Sequence, residues 1–240
     1  MSSQPAAVAA ARDYRRSSGA SILAEFVDLL ALPNVSRNLA DVSRVADHIV
    51  AMLLQRGVDA HAVARPGTAP VVTGFLKAPG ATTTIGIYAH YDGQPIDQPD
   101  WYGDPFKPTL WTDSLDSGGT QLPFPDDGAE IDPDWRLYAR SASDDKAPIV
   151  ALCAALDAMR AAQVDPSVNL LFLFEGEEEI GSPNLPRYLE DLSPALSAAD
   201  VWLICDGPVH QTRAPQVVFG VRGISEIEVT VYGPIRPLHS

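Results

Sequence analysis

The sequence predicts an α/β fold, a sheet covered on both faces by helices. Strand-like and helix-like segments alternate along the chain, the pattern of α/β proteins. The run TTTIGIYAH (82–90) is apolar on both faces, which suits the middle of a covered sheet. Apolar residues make up 46% of the 240, enough for a sizeable core and against general disorder.

The elements follow in order. ASILAEFVDLLA (20–31) sets Ile22, Leu23, Phe26, Val27 and Leu30 at helical spacing, and Pro33 stops the helix. LADVSRVADHIVAMLLQRG forms a second helix, with Val42, Val45, Ile49 and Leu53 on one stripe and Gly57 as the stop. The strand TTTIGIYAH comes next. From Gln94 to Arg136 Pro, Asp, Gly and Trp crowd together, which predicts a long irregular surface region of the kind that serves as a functional loop or insertion. DDKAPIVALCAALDAMRAAQ is a helix, NLLFLFE a strand, PRYLEDL the centre of a short helix and DVWLICD another strand. QVVFGVRGISEIEVTVYG reads as two strands separated by Arg222-Gly223.

A net charge of −14 argues against nucleic acid or an anionic membrane surface as the main partner. Solubility accounts for such a charge, and so does recruitment of cations. The two cysteines, Cys153 and Cys205, lie among apolar neighbours with no dense spacing pattern, which predicts buried, reduced thiols in a cytoplasmic protein. The N-terminus shows no signal-peptide pattern, and no stretch approaches membrane-span length.

Four element ends carry chemistry-bearing side chains. The first strand runs into His90-Tyr91-Asp92, and the helix after the long loop opens with Asp144-Asp145-Lys146. A third element ends in Glu177-Glu178-Glu179 and a fourth in Cys205-Asp206-Gly207. Each has an ordinary reading alone: a loop histidine, a helix N-cap at Asp144, a solvated acidic face, an Asp-Gly turn. In open α/β sheets, however, ligand sites gather at the carboxyl ends of strands. An imidazole and several carboxylates brought to one such edge repel unless a cation sits among them, and that donor set suits zinc or manganese better than magnesium or calcium.

Five motifs in order carry a resemblance: AHYDGQP, RSASDDKAP, FEGEEEIGSP, ICDG followed by FGVRGI, and the terminal LHS. From about residue 20 onward the chain resembles the di-zinc metallopeptidases that include carnosinases, glutamate carboxypeptidase, aminoacylase and succinyl-diaminopimelate desuccinylase. The carnosinase-like dipeptidase branch is nearest in flavour, through FEGEEEIGS, DDKAP and WYGDPF (101–106). The resemblance implies a mixed sheet flanked by helices over 1–222 as the N-terminal part of the catalytic domain, with 223–240 beginning a smaller α+β lid or dimerisation domain. It implies that His90 and Asp206 ligate one metal, that Asp144 bridges two, and that Glu179 ligates the second. Asp92 would orient the His90 ring, Glu178 would be the general base, and the Asp144-Asp145 peptide would be cis. His239 would reach the substrate oxyanion across a dimer interface without binding metal.

The implied activity is hydrolysis of an amide bond in a dipeptide or small peptide by water activated between two Zn2+ ions per subunit, with Mn2+ an alternative. Substrates would be small peptides or N-acyl amino acids, in a homodimer formed through the lid. Two departures stand out. Arg140-Ser141-Ala142-Ser143 replaces the family's Gly-Arg-Gly before the aspartates, which predicts an altered turn. Relatives continue well beyond Ser240 to a final metal-binding histidine. His48, His61 and His210 do not match it, so the second metal site is expected to be incomplete here. The competing readings are a truncated metal- or partner-binding piece without turnover, an N-acyl-amino-acid deacylase, and a hydrolase working by paired acids without metal. An uncovered sheet edge is the expected liability of such a piece.

Overall fold

The computed structural model describes residues 6–96, 101–207 and, from 209 to 233, all but 211, 215, 222 and 226. It divides into two units, residues 1–206 and 207–240. The first holds helices α1 (Ala6–Ser17), α2 (Gly19–Leu30), α3 (Leu39–Gln55), α4 (Lys146–Ala161) and α5 (Leu185–Leu196). Its strands are β1 (Asp59–Val63), β2 (Val71–Leu76), β3 (Thr84–His90), β4 (Thr109–Trp111), β5 (Gln121–Leu122), β6 (Arg136–Tyr138), β7 (Asn169–Glu175) and β8 (Val201–Ile204).

A five-stranded sheet runs in the order β1-β2-β7-β3-β8. The pairs β1/β2 and β2/β7 are antiparallel, whereas β3 runs parallel to both β7 and β8, so the sheet is mixed. Period-two alternation divides β7 between two cores. Phe172 and Phe174 face the larger core, with Val42, Ile49 and Leu53 of α3 and Ile149 and Cys153 of α4. Leu171 and Leu173 face the smaller one, with Tyr188 and Leu196 of α5. The sheet is therefore covered on both faces, as its apolar strands require.

α3 shows how the sequence produces this arrangement. Asn38 caps it, its side chain accepting from the Asp41 amide at 3.3 Å. The stripe Val42, Val45, Ile49, Leu53 is fully buried, and Gly57 ends the helix at φ 77°. Beyond it, the buried Arg56 guanidinium spans three helices, meeting Glu25 of α2 at 2.8 Å and Asp157 of α4 at 2.5 Å. It also donates to the Cys153 carbonyl at 3.1 Å.

Three expectations change. The region 94–136 is not wholly irregular, because β4 and β5 within it pair with β6, which begins at its end, in a second, three-stranded antiparallel sheet. Its strands are two or three residues long, too short to show a period among prolines and aspartates. The two strands expected over 216–233 are not formed by the described residues there. Phe219, Val221 and Ile224 are at least 95% exposed, and an unpartnered hairpin is marginal in water. Cys153 is buried as expected, but Cys205 is only partly so. Among the described residues β8 is an edge strand, and its Val201, Leu203 and Ile204 are exposed.

Candidate metal centre

Three parallel strands, β7, β3 and β8, end on one side of the sheet, and their ends supply the polar side chains. His90 closes β3, Glu175 closes β7, and Asp206 follows β8 by two residues. Asp144 and Asp145 precede α4, joined by a cis peptide bond, and Glu178 and Glu179 lie in a 3-10 turn after β7. This is the crevice outside the carboxyl ends of an α/β sheet.

His90 is the hub, fully buried in the floor of the site. Its Nε2 lies 2.7 Å from Asp144 Oδ1, 3.8 Å from Glu178 Oε2 and 3.9 Å from Asp206 Oδ2. Nδ1, on the other side of the ring, stands 3.4 Å from Asp92 Oδ1. The floor is buried and the rim open: the side chains of His90 and Asp92 are about 1% and 0% exposed, that of Asp144 66%.

Asp92 ties the floor to the acidic turn. Its Oδ1 accepts from the Glu178 amide and its Oδ2 from the Glu179 amide, each at 3.2 Å. Asp145 Oδ2 accepts from the His90 backbone amide at 3.1 Å. Gln94 Nε2 donates to Glu179 Oε2 at 2.5 Å. Asp145 was expected only as the second half of the cis pair, and Gln94 in no role; a side chain beside a candidate ligand and a loop glutamine carry no periodic signal.

The other two acids are supports. Glu175 is buried and accepts from the Tyr88 hydroxyl at 2.7 Å. Glu177 is buried too, accepting from the Ala69 amide at 2.9 Å and from Asn184 Nδ2 at 2.8 Å. Asp144 is not the helix cap its position allows, since Asp145 holds that place without a capping bond from its side chain. Ser141 turns the chain before the aspartates at φ 61°, in the left-handed region. The turn is thus made without the glycine expected there.

Crowded carboxylates perturb one another. Burial penalises the His90 imidazolium, but Asp92, Asp145 and Glu178 outweigh that penalty and push it up to about 10. Burial, with Asp206 and Asp144 nearby, pushes Asp145 up to about 7 despite its bond from the His90 amide. Glu178 and Glu179 are both raised, mainly by burial, with His90 and Gln94 respectively among the groups opposing it. Such a cluster gains from positive charge at its centre, supplied by a proton on His90 or by a metal ion.

Two groups of side chains place one donor atom each within 4.8 Å of one another: His90, Asp145 and Asp206, and His90, Asp144 and Glu179. An imidazole nitrogen with carboxylate oxygens is a donor set that zinc or manganese accepts. Among the described residues His48, His61 and His210 join no such group. His239 lies outside the described residues.

The sequence profile described as peptidase family M20/M25/M40 matches residues 86–240. The chain is 32% identical over 173 residues to the Cys-Gly metallodipeptidase dug1 of Schizosaccharomyces pombe, covering 71% of this chain and 32% of that protein. It is also 32% identical over 173 residues to a human Beta-Ala-His dipeptidase, covering 71% and 30% respectively. The M20 family metallo-carboxypeptidase Sso-CP2 of Sulfolobus solfataricus superposes with a TM-score of 0.64 at 29% identity, over 81% of this chain and 39% of that one. The chain spans about a third of the length of the curated relatives it matches. With its mixed sheet, its clustered strand ends and a profile match across the stretch that carries them, the chain belongs to peptidase family M20/M25/M40.

Proposed function

We propose that the chain is the metal-binding part of a dipeptidase that hydrolyses the amide bond of small peptides. The observation that carries this reading is the crowding of Asp144, Glu178 and Asp206 within 4 Å of one buried imidazole nitrogen. His90, Asp144 and Asp206 would hold one zinc or manganese ion, and Asp144 and Glu179 would share a second. When bound, these ions supply Lewis-acid chemistry, acidifying water and polarising a carbonyl.

The chain's own residues would do the remainder. Glu178, whose affinity for protons is raised by burial, takes a proton from the attacking water and passes it to the leaving amide nitrogen as the C–N bond breaks. Asp92, which holds the amides of Glu178 and Glu179, would also orient the His90 ring beside it. Gln94 holds the Glu179 carboxylate. His239 would steady the oxyanion in a cytoplasmic homodimer assembled through the lid begun by residues 223–240.

Metal content with and without chelator, read beside hydrolysis of Cys-Gly and β-Ala-His, tests the reading. The chain should retain a divalent ion through dialysis and lose it to a chelator, and hydrolysis by the whole protein should be lost with it. A chain that takes up no zinc or manganese overturns the proposal.

A further inference from the structure

The donors of the candidate metal centre come from two segments far apart in sequence, His90–Asp92 after β3 and Asp144–Asp145 before α4. One buried side chain touches the backbone of the first and the approach to the second. Asn34, fully buried, donates from Nδ2 to the Tyr91 carbonyl at 2.7 Å and to Ser141 Oγ at 2.9 Å. Both amide protons are thereby used, while Oδ1 has no partner among the described residues.

The backbone around Asn34 strengthens the first contact. Its carbonyl accepts from the Gly93 amide at 2.8 Å, Val35 forms a parallel bridge with Gly93, and Ser36 donates to the Gly93 carbonyl from its amide at 3.0 Å and its hydroxyl at 2.9 Å. Residues 34–36 thus meet the chain just past β3 through one isolated parallel bridge. On the other side, Ser141 carries the left-handed turn, and its carbonyl accepts from the Lys146 amide at 3.1 Å across the Asp144-Asp145 pair. Space between the segments is closed: a Cβ at Gly93 would lie 2.7 Å from Ser141 Oγ and 3.2 Å from Asn34 Nδ2.

We infer that Asn34 is a positioning residue for the metal centre, setting the distance between His90 and the Asp144-Asp145 pair through its bonds to Tyr91 and Ser141. It touches neither metal donors nor substrate. The role rests on the metal reading above, and it names a group that nothing in the acidic motifs points to. Groups bonded directly to metal ligands change affinity by about 10–100-fold when removed, and Asn34, one residue further from the donors, is set against the lower end of that range.

The test uses the 240-residue chain and Co2+ alone, whose d–d absorption reports ligand geometry as well as occupancy. Wild type, Asn34→Ala and Ser141→Ala are titrated with Co2+, and each metal-free protein is melted in chelator. Both variants should bind Co2+ about tenfold more weakly and give an altered d–d spectrum, with the double variant no worse than Asn34→Ala. If Asn34→Ala does not fold, Ser141→Ala decides, since it removes only the arm toward Asp144. A merely structural role would lower the metal-free melting temperature while leaving Co2+ affinity and spectrum as in wild type, and that result overturns the inference. A wild-type chain that takes up no Co2+ overturns the metal reading instead, and this role with it.

Discussion

His90 Nε2 and Asp144 Oδ1 lie 2.7 Å apart although their residues are 54 positions apart in the chain. Asp144 is also the carboxylate that both proposed ions would share. Asp144→Asn removes that shared charge, so the metal content of the purified protein should fall to near zero. Glu179→Gln, at the rim, should lose only the second equivalent held by the whole protein. Metal analysis after dialysis separates the two outcomes, and equal retention by Asp144→Asn would remove Asp144 from the site.

Glu178→Gln keeps the shape of the side chain and takes away its basicity. General-base catalysis typically contributes about 10²–10⁴-fold. Peptide hydrolysis by the whole protein should fall by that order while metal content stays near wild type. Survival of activity would move the base elsewhere.

Asp92 accepts two backbone amides from the acidic turn and faces the His90 ring at 3.4 Å. Asp92→Asn puts a carboxamide NH2 where a second acceptor is needed, so one amide of the turn is left facing a donor. Metal affinity should drop by about 10–100-fold, with the fold retained by circular dichroism.

Much of this was legible in advance. The α3 stripe and the strand NLLFLFE declared themselves because burial on one side, or on both, imposes a period or an unbroken apolar run. β1, β2 and α1 gave weaker signals: β1 mixes Asp and His with Ala and Val, and α1 is Ala- and Arg-rich with Val8 and Tyr14 as its large apolar side chains. His90, Asp144, Glu177, Glu178, Glu179 and Asp206 drew notice because each sits at the end of an element, and only the family resemblance separated Glu178 and Glu179 from Glu177. Asn34 and Gln94 could not, nor could the bond from Asp145 to the His90 amide, since these come from hydrogen bonds across long sequence separations. Ser141 shows the reverse case, where a missing glycine predicted a changed turn and a serine adopted the left-handed conformation itself.

Gly86 sits in β3 beneath the Trp202 indole of β8. A Cβ there would lie 2.4 Å from the ring. The indole is bulky and β8 is pinned to β3 by its ladder, so neither side yields easily. Gly86→Ala should destabilise the fold by about 1–3 kcal/mol, read by denaturant unfolding. Trp202→Ala in the same background should recover part of the loss.

Cys153 gives a pH-dependent prediction remote from the metal centre. Burial pushes its thiol up to about 12, with the Arg56 charge opposing and the Glu25 and Asp157 charges adding. An unfolded cysteine ionises near 9. Between those values the folded chain holds a proton that the unfolded chain has released, so stability falls as pH rises. The contribution is fully present below pH 9 and is lost progressively toward pH 12. Cys153→Ala should cost stability at pH 7 through the cavity it leaves, and should show a shallower decline above pH 9 than wild type. Equilibrium unfolding at a series of pH values checks both, and parallel declines in the two proteins would show that Cys153 does not titrate with unfolding.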